Sequence, residues 1–234
     1  MSVLLAIIAT PQDEALLKRH WPYFKMTGWD ILGAGTLGGK TVWPEAVPRL
    51  DTGIIGKRPT PAGESIWGLV QQECDIWRWF LNQTEYDSVA VVEADGLFTR
   101  PLPDHPGGAY LFTVMPSFSP AGLFKSPIYA QTPRWSDRPT TERLLMHAEQ
   151  MIKTGDSEWW MSDRLPAWIC YKHHIKFQGF PGWSPFAMTP WTANSYEVQW
   201  VQDARMAIQM GAAYIHSCKT QRQFDALKDL LPSI

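Results

Sequence analysis

An apolar run, Ser88-Val89-Ala90-Val91-Val92, leads directly into Glu93-Ala94-Asp95-Gly96. A strand that is apolar on both faces belongs inside a parallel sheet. Open α/β sheets bind their ligands at the carboxyl ends of such strands. Alternation places Glu93 and Asp95 on the same side, about 7 Å apart along an extended chain. Gly96 lets the backbone turn sharply or come close to a ligand. Two carboxylates converging at a sheet edge suit a hard divalent cation with oxygen ligands, shared with phosphates. The competing interpretation is an ordinary strand end whose acids cap the next turn or lie in water, since acid-x-acid triplets are common.

The elements that would position these acids can be traced along the chain. Val3 to Thr10 is a continuous β-friendly run and predicts a buried first strand ending at Thr10-Pro11. Pro11-Gln12-Asp13-Glu14 then carries a helix-start pattern, with proline early and acids in the first turn. Trp29 to Leu32 predicts a second strand, closed by the glycine-rich stretch Gly33 to Gly39. That stretch lacks both the Walker ending and the order of a dinucleotide fingerprint, so it is not a phosphate loop. Thr41 to Pro61 is expected to be a loop. Ala62 to Asn82 predicts a long amphipathic helix, with Ile66, Leu69, Val70, Glu73, Ile76, Trp77 and Phe80 at three- and four-residue steps. A strand over Ala109 to Val114, a connection over Met115 to Arg138 and helices over Thr140 to Ile152 and Ser157 to Tyr171 follow. The last of these is expected to bend at Pro166. A strand over His174 to Phe180, a helix over Tyr196 to Met210, a strand over Ala212 to His216 and a helix over Gln221 to Leu231 complete the chain. Strands alternating with helices predict an α/β fold with a mostly parallel, doubly wound sheet in a single domain, 1–234.

The acidic pair at the end of a hydrophobic strand resembles the DxD motif of GT-A glycosyltransferases, with Glu93 where that motif begins with Asp. The resemblance implies a single-domain GT-A, Rossmann-like fold and a metal-dependent transfer of sugar from a nucleoside-diphosphate sugar, such as a UDP-sugar, to an acceptor hydroxyl. It implies Asp95 as a ligand of Mn²⁺ or Mg²⁺, and Glu93 as a contact to the ribose or to the metal through water. Late in the chain, Ala212-Ala213-Tyr214-Ile215-His216-Ser217-Cys218-Lys219 is similar to the family's strand that ends in a histidine ligand. His216 is then a third metal ligand, and Lys219 meets the departing diphosphate. Thr10 and Pro11 would lie with Ala94 against the donor nucleotide. Ser157-Glu158-Trp159-Trp160-Met161-Ser162-Asp163-Arg164 resembles the segment whose acids face the acceptor, which makes Asp163 or Glu158 the candidate general base. The alternatives are a nucleotidyltransferase and a catalytically inactive nucleotide-sugar-binding module. The acidic Thr10-Pro11-Gln12-Asp13 speaks against the first, which needs a basic loop for a triphosphate.

Composition narrows the partners. Lys and Arg number 21 and Asp and Glu 23, which excludes a generally polybasic binder but allows a local basic face. Basic and aromatic residues interleave in Lys172-His173-His174-Ile175-Lys176-Phe177 and in Arg134-Trp135-Ser136-Asp137-Arg138. A groove built from Arg134, Arg138, Lys172 and Lys176, with Trp135 and Trp183 to stack on an extruded base, would suit DNA. Phage-type enzymes that glucosylate hydroxymethylated pyrimidines in DNA are the GT-A branch this would resemble. The plainer expectation is a solvated surface, with a glycan or small molecule as acceptor. Three dispersed cysteines, Cys74, Cys170 and Cys218, suit core positions in a reducing compartment. No segment reaches the roughly 20 apolar residues of a membrane span. Val3 to Ala9 lacks the basic start of a signal peptide. A cytoplasmic protein with no membrane contact is expected.

Overall fold

The computed structural model describes residues 2–35, 40–52, 67–102, 105, 107–116, 128–154, 165–179 and 196–234. The expected α/β architecture is present: a seven-stranded, mostly parallel sheet flanked by helices. Its strands are β1 (Val3–Ala9), β2 (Asp30–Gly35), β3 (Arg49–Asp51), β4 (Ser88–Glu93), β6 (Tyr110–Pro116), β7 (Ile128–Asp137) and β8 (Phe177–Gly179). They lie in the order β3-β2-β1-β4-β7-β6-β8. Only β7 runs against the others. A separate two-stranded sheet pairs β5 (Leu97–Phe98) with β9 (Tyr214–Ile215).

The central strands are apolar throughout because helices cover both faces. Leu4, Ala6, Ile8, Val89 and Val91 point to a core shared with α2 (Trp67–Leu81), α3 (Arg138–Thr154) and α4 (Leu165–Lys172). Leu5, Ile7, Ala9, Ala90 and Val92 point the other way, toward Leu17, Trp21 and Phe24 of α1 (Glu14–Lys25). Beyond α1, a third cluster joins Tyr23 to Trp200, Ala204 and Ala207 of α5 (Tyr196–Gln209) and to Phe224 of α6 (Gln221–Asp225). Chain order reverses at β1: β2 and β3 extend the sheet to one side, and β4 lies on the other. The carboxyl ends of β1 and β4 therefore frame a topological switch point, where such sheets open a ligand crevice.

Several local expectations are corrected. The stretch from Met115 to Arg138 is not simply a connection, because β7 occupies Ile128–Asp137 between β4 and β6. Pro133 and Arg134 mask it in the sequence, since neither suits a central strand. The register of β6 against β7 shifts at Phe112/Thr113, leaving Thr132 and Pro133 without partners in that ladder. Proline, which has no N–H to donate, thus sits at an irregularity. Within the expected loop from Thr41 to Pro61, Arg49–Asp51 forms the edge strand β3. Strand β2 does not stop at Leu32 but runs through Gly33, Ala34 and Gly35. A side chain on Gly33 would come within 2.6 Å of the Trp43 ring, so this glycine makes room for a tryptophan. Pro166 sits in the first turn of α4 rather than at a bend, and residues 157–164 of that expected helix lie outside the described residues. The strand expected over His174 to Phe180 is only Phe177–Gly179, and the final helix stops at Asp225. All three cysteines are free and buried. Among the described residues, no helix is long and apolar enough to cross a membrane.

Candidate metal centre

Strand β4 delivers Glu93 at its last position, and a tight turn follows. The Ala94 amide still donates to the Ile8 carbonyl at 2.9 Å, and the Gly96 amide donates back to the Glu93 carbonyl at 2.9 Å. Asp95 is thereby held at the sheet edge with its side chain only 9% exposed, while that of Glu93 is 39% exposed. Gly96 has no alternative here: a Cβ would fall 1.8 Å from the hydroxyl oxygen of Tyr214. The close approach expected of this glycine is to a core tyrosine.

The second half of the site arrives from more than a hundred residues away. Antiparallel pairing of β9 with β5 places Leu97 opposite Ile215, so the residues that follow β9 are brought against the acidic turn that precedes β5. The Cys218 amide donates to the Asp95 carbonyl at 2.9 Å and fixes this register. Ser217 adopts a left-handed backbone, φ 70°, which is costly for a residue other than glycine and concentrates at functional sites. The turn brings its hydroxyl to donate to Asp95 Oδ2 at 3.2 Å. His216 Nε2 lies 3.0 Å from Glu93 Oε2 and 3.3 Å from Asp95 Oδ1. Lys219 Nζ lies 3.6 Å from Asp95 Oδ2 and is largely exposed.

One ligand atom from each of Glu93, Asp95 and His216 falls within 4.8 Å of the others, which makes these residues a possible metal-binding cluster. Oδ1 of Asp95 is buried and faces His216 Nε2 at 3.3 Å. A buried carboxylate oxygen needs a positive or hydrogen-bonding partner, which a metal ion or a protonated imidazole supplies. Two carboxylates and one imidazole also form a donor set that suits a divalent ion. Without a metal, a proton plays the same part. Burial by itself would lower the pKa of His216, but the Asp95 charge and the hydrogen bonds to both acids outweigh it, raising the value from 6.5 to about 10. Burial would raise the Asp95 carboxyl, yet His216, Lys219 and Ser217 hold it well below the usual carboxylate range.

Beside the cluster lies a cleft of about 360 Å³, within the size range of small-ligand sites. Its walls include Ile8, Ala9 and Thr10 from the end of β1, Asp13 and Leu16 from the helix start, and Glu93, Ala94, Asp95, Arg134 and Lys219. Thr10 caps the following 3-10 turn, with its amide donating to Asp13 Oδ2 at 2.7 Å. Pro11 opens that turn without lining the cleft. The structure therefore brings together Thr10, Glu93, Ala94, Asp95, His216 and Lys219. Glu158 and Asp163 lie outside the described residues.

The basic groove expected for DNA is not assembled. Arg134 is not a surface residue: its guanidinium lies 3.0 Å from Glu73 of α2, and both side chains are only 2% exposed. Trp135 is fully buried, with its indole N–H donating to Ser88. Arg138 donates to the carbonyls of Leu81, Gln83 and Tyr86 and lies over Phe80. Lys172, His174 and Lys176 do line a second, open groove of about 610 Å³. That groove meets the start of β8, which is level with Tyr110, Asp137 and the beginning of β4. It lies at the amino edge of the sheet and three strands across from β4, more than a strand length of roughly 17 Å from Glu93. Trp183 lies outside the described residues.

Two further residues at the site had no part in the sequence expectations. His20, wholly buried on α1, has Nδ1 3.0 Å from the Ala94 carbonyl. Arg19 reaches the carbonyls of Cys218 and Lys219. The available signal was a titratable side chain beside Leu17, Trp21 and Phe24 on the apolar side of a helix. No protein-family model matches this chain, and the comparison with curated proteins gives no match either.

Proposed function

We propose that this chain is a metal-dependent glycosyltransferase of the GT-A type, which moves a sugar from a nucleoside-diphosphate sugar to an acceptor hydroxyl. The observation that carries this reading is the convergence of Glu93, Asp95 and His216, with Lys219 beside them, at the crevice between β1 and β4. Asp95, His216 and Glu93 would hold Mn²⁺ or Mg²⁺. When bound, that ion supplies positive charge against the diphosphate oxygens. Lys219, whose ammonium lies beside Asp95, also lines the cleft and would add a cation for charge that grows as the diphosphate leaves. Thr10 and Asp13 offer polar groups toward the nucleoside. In the reaction, the bond from the anomeric carbon to the phosphate oxygen breaks and the diphosphate keeps the electron pair. The acceptor oxygen bonds to that carbon, and its proton passes to a base, for which Asp163 and Glu158 remain the candidates.

A nucleotidyltransferase would need cationic support for a triphosphate at the end of β1. The Thr10 to Asp13 turn instead brings a carboxylate into the cleft wall, which favours the glycosyl reading. Calorimetry of UDP with Mn²⁺, and then with EDTA, tests the assignment. Binding is expected with the metal and lost in EDTA or in Asp95→Asn; equal affinity in all three would remove it. Product analysis separates the two enzymes, since a UDP-sugar incubated with acceptor alcohols releases UDP in glycosyl transfer. Pyrophosphate released from UTP and a sugar phosphate would identify the nucleotidyltransferase.

A further inference from the structure

The two halves of the metal centre are not joined by their own contacts alone. Adjacent residues on α1 reach one half each. His20 Nδ1 lies 3.0 Å from the carbonyl of Ala94, the residue between the two acids. Arg19 donates through Nη2 to the Lys219 carbonyl at 3.0 Å and to the Cys218 carbonyl at 3.4 Å, and through Nη1 to the Gln221 side chain at 3.3 Å. The two side chains also meet, since Arg19 Nε donates to His20 Nε2 at 3.3 Å.

This arrangement fixes the state of the imidazole. Nε2 accepts from Arg19, so the proton sits on Nδ1 and donates to Ala94. Burial, reinforced by the neighbouring Arg19 charge, lowers the pKa of His20 to about 4 and keeps the ring neutral through the working range. Phe224 of α6 fixes both groups, with the His20 ring stacked on it at 5.9 Å and the Arg19 guanidinium 5.6 Å from its centroid. α6 itself begins just after Lys219, at a capping box formed by Thr220 and Gln223.

We propose that Arg19 and His20 act as a clamp that positions the cation site: His20 sets the turn carrying Glu93 and Asp95, Arg19 sets the segment carrying His216 and Lys219, and the bond between them holds the halves in register. The proposal rests on the reading that the cluster binds a divalent cation. Neither residue touches the ion. They act through the backbone, as partners that orient ligands commonly do, and losing such a partner typically weakens metal affinity 10- to 100-fold.

The test uses Mn²⁺ alone as probe, titrated calorimetrically into the intact chain, with thermal unfolding in EDTA measured in parallel. Arg19 is only partly buried, so Arg19→Met keeps its stem and loses its donors. It is expected to weaken Mn²⁺ about tenfold while leaving the unfolding temperature in EDTA nearly unchanged. His20→Asn, which can still donate to Ala94, should retain more affinity than His20→Leu. The Arg19→Met/His20→Asn double variant should lose less than the two single losses combined, because one contact is shared. If wild type binds Mn²⁺ and Arg19→Met binds it equally well, the clamp is wrong and the cation reading stands. If wild type binds no Mn²⁺, both are wrong. Should His20→Leu fail to fold, Arg19→Met and His20→Asn still decide the matter.

Discussion

The centre of this molecule is a charge problem with two solutions. Glu93 and Asp95 face one imidazole nitrogen at 3.0 and 3.3 Å, and either a proton or a metal can occupy the space between them. Burial opposes the charged imidazole, but the two carboxylates push His216 up from 6.5 to about 10, so without a metal it carries the proton at neutral pH. A metal needs the neutral imidazole, so binding must expel that proton. The sign follows directly: Mn²⁺ affinity should rise about tenfold per pH unit through neutral pH and level off as pH approaches 10. Calorimetry at pH 7 in buffers of different ionisation enthalpy should show about one proton released per metal bound. Binding that releases no proton would place the ion away from His216.

At the scale of elements, the site depends on the small β5–β9 sheet as much as on the large one. Tyr214 is buried between the two, with its ring 5.0 Å from that of Phe98 and its hydroxyl over Gly96. Gly96→Ala would drive a methyl group into that hydroxyl and push β9 away from the acidic turn. Overpacking of this kind costs about 1–3 kcal/mol. Urea denaturation should show a loss of that size, and the loss should be smaller in a Tyr214→Phe background, where the nearest clashing atom is gone. Mn²⁺ affinity should fall together with stability, since His216 follows Tyr214 by two residues. A variant that is as stable as wild type would mean that Tyr214 moves aside freely.

For the whole molecule, the sheet separates its two polar openings. The acidic cluster and its cleft lie at the carboxyl edge, at the switch point of β1 and β4. The groove lined by Lys172, His174 and Lys176 lies at the amino edge. Lys172→Ala/Lys176→Ala should therefore leave the proposed metal-dependent UDP binding within about twofold of wild type, because charges this far apart across a protein are largely screened at physiological salt. A tenfold loss would show that the two edges communicate.

The amino-acid sequence by itself determined the parallel core and one half of the site. Apolar runs such as Val3 to Ala9 and Ser88 to Val92 can be stable only with both faces covered, and acids directly after such a run must emerge at the carboxyl edge. His216 and Lys219 were singled out by the resemblance to the GT-A pattern, not by their spacing alone. Tertiary structure decided the rest. Strand β7 was hidden because Pro133 and Arg134 contradict strand propensity, and Arg134 is tolerated there only through its ion pair with Glu73, 61 positions earlier. With β7 missed, nothing in the chain revealed that Arg134 and Trp135 are core residues. Nor could it reveal that Arg138 and Lys172 sit at the far edge from Glu93. His20 and Arg19 were invisible for a related reason: their roles are hydrogen bonds to the backbone of Ala94, Cys218 and Lys219, and a carbonyl leaves no trace in residue identity.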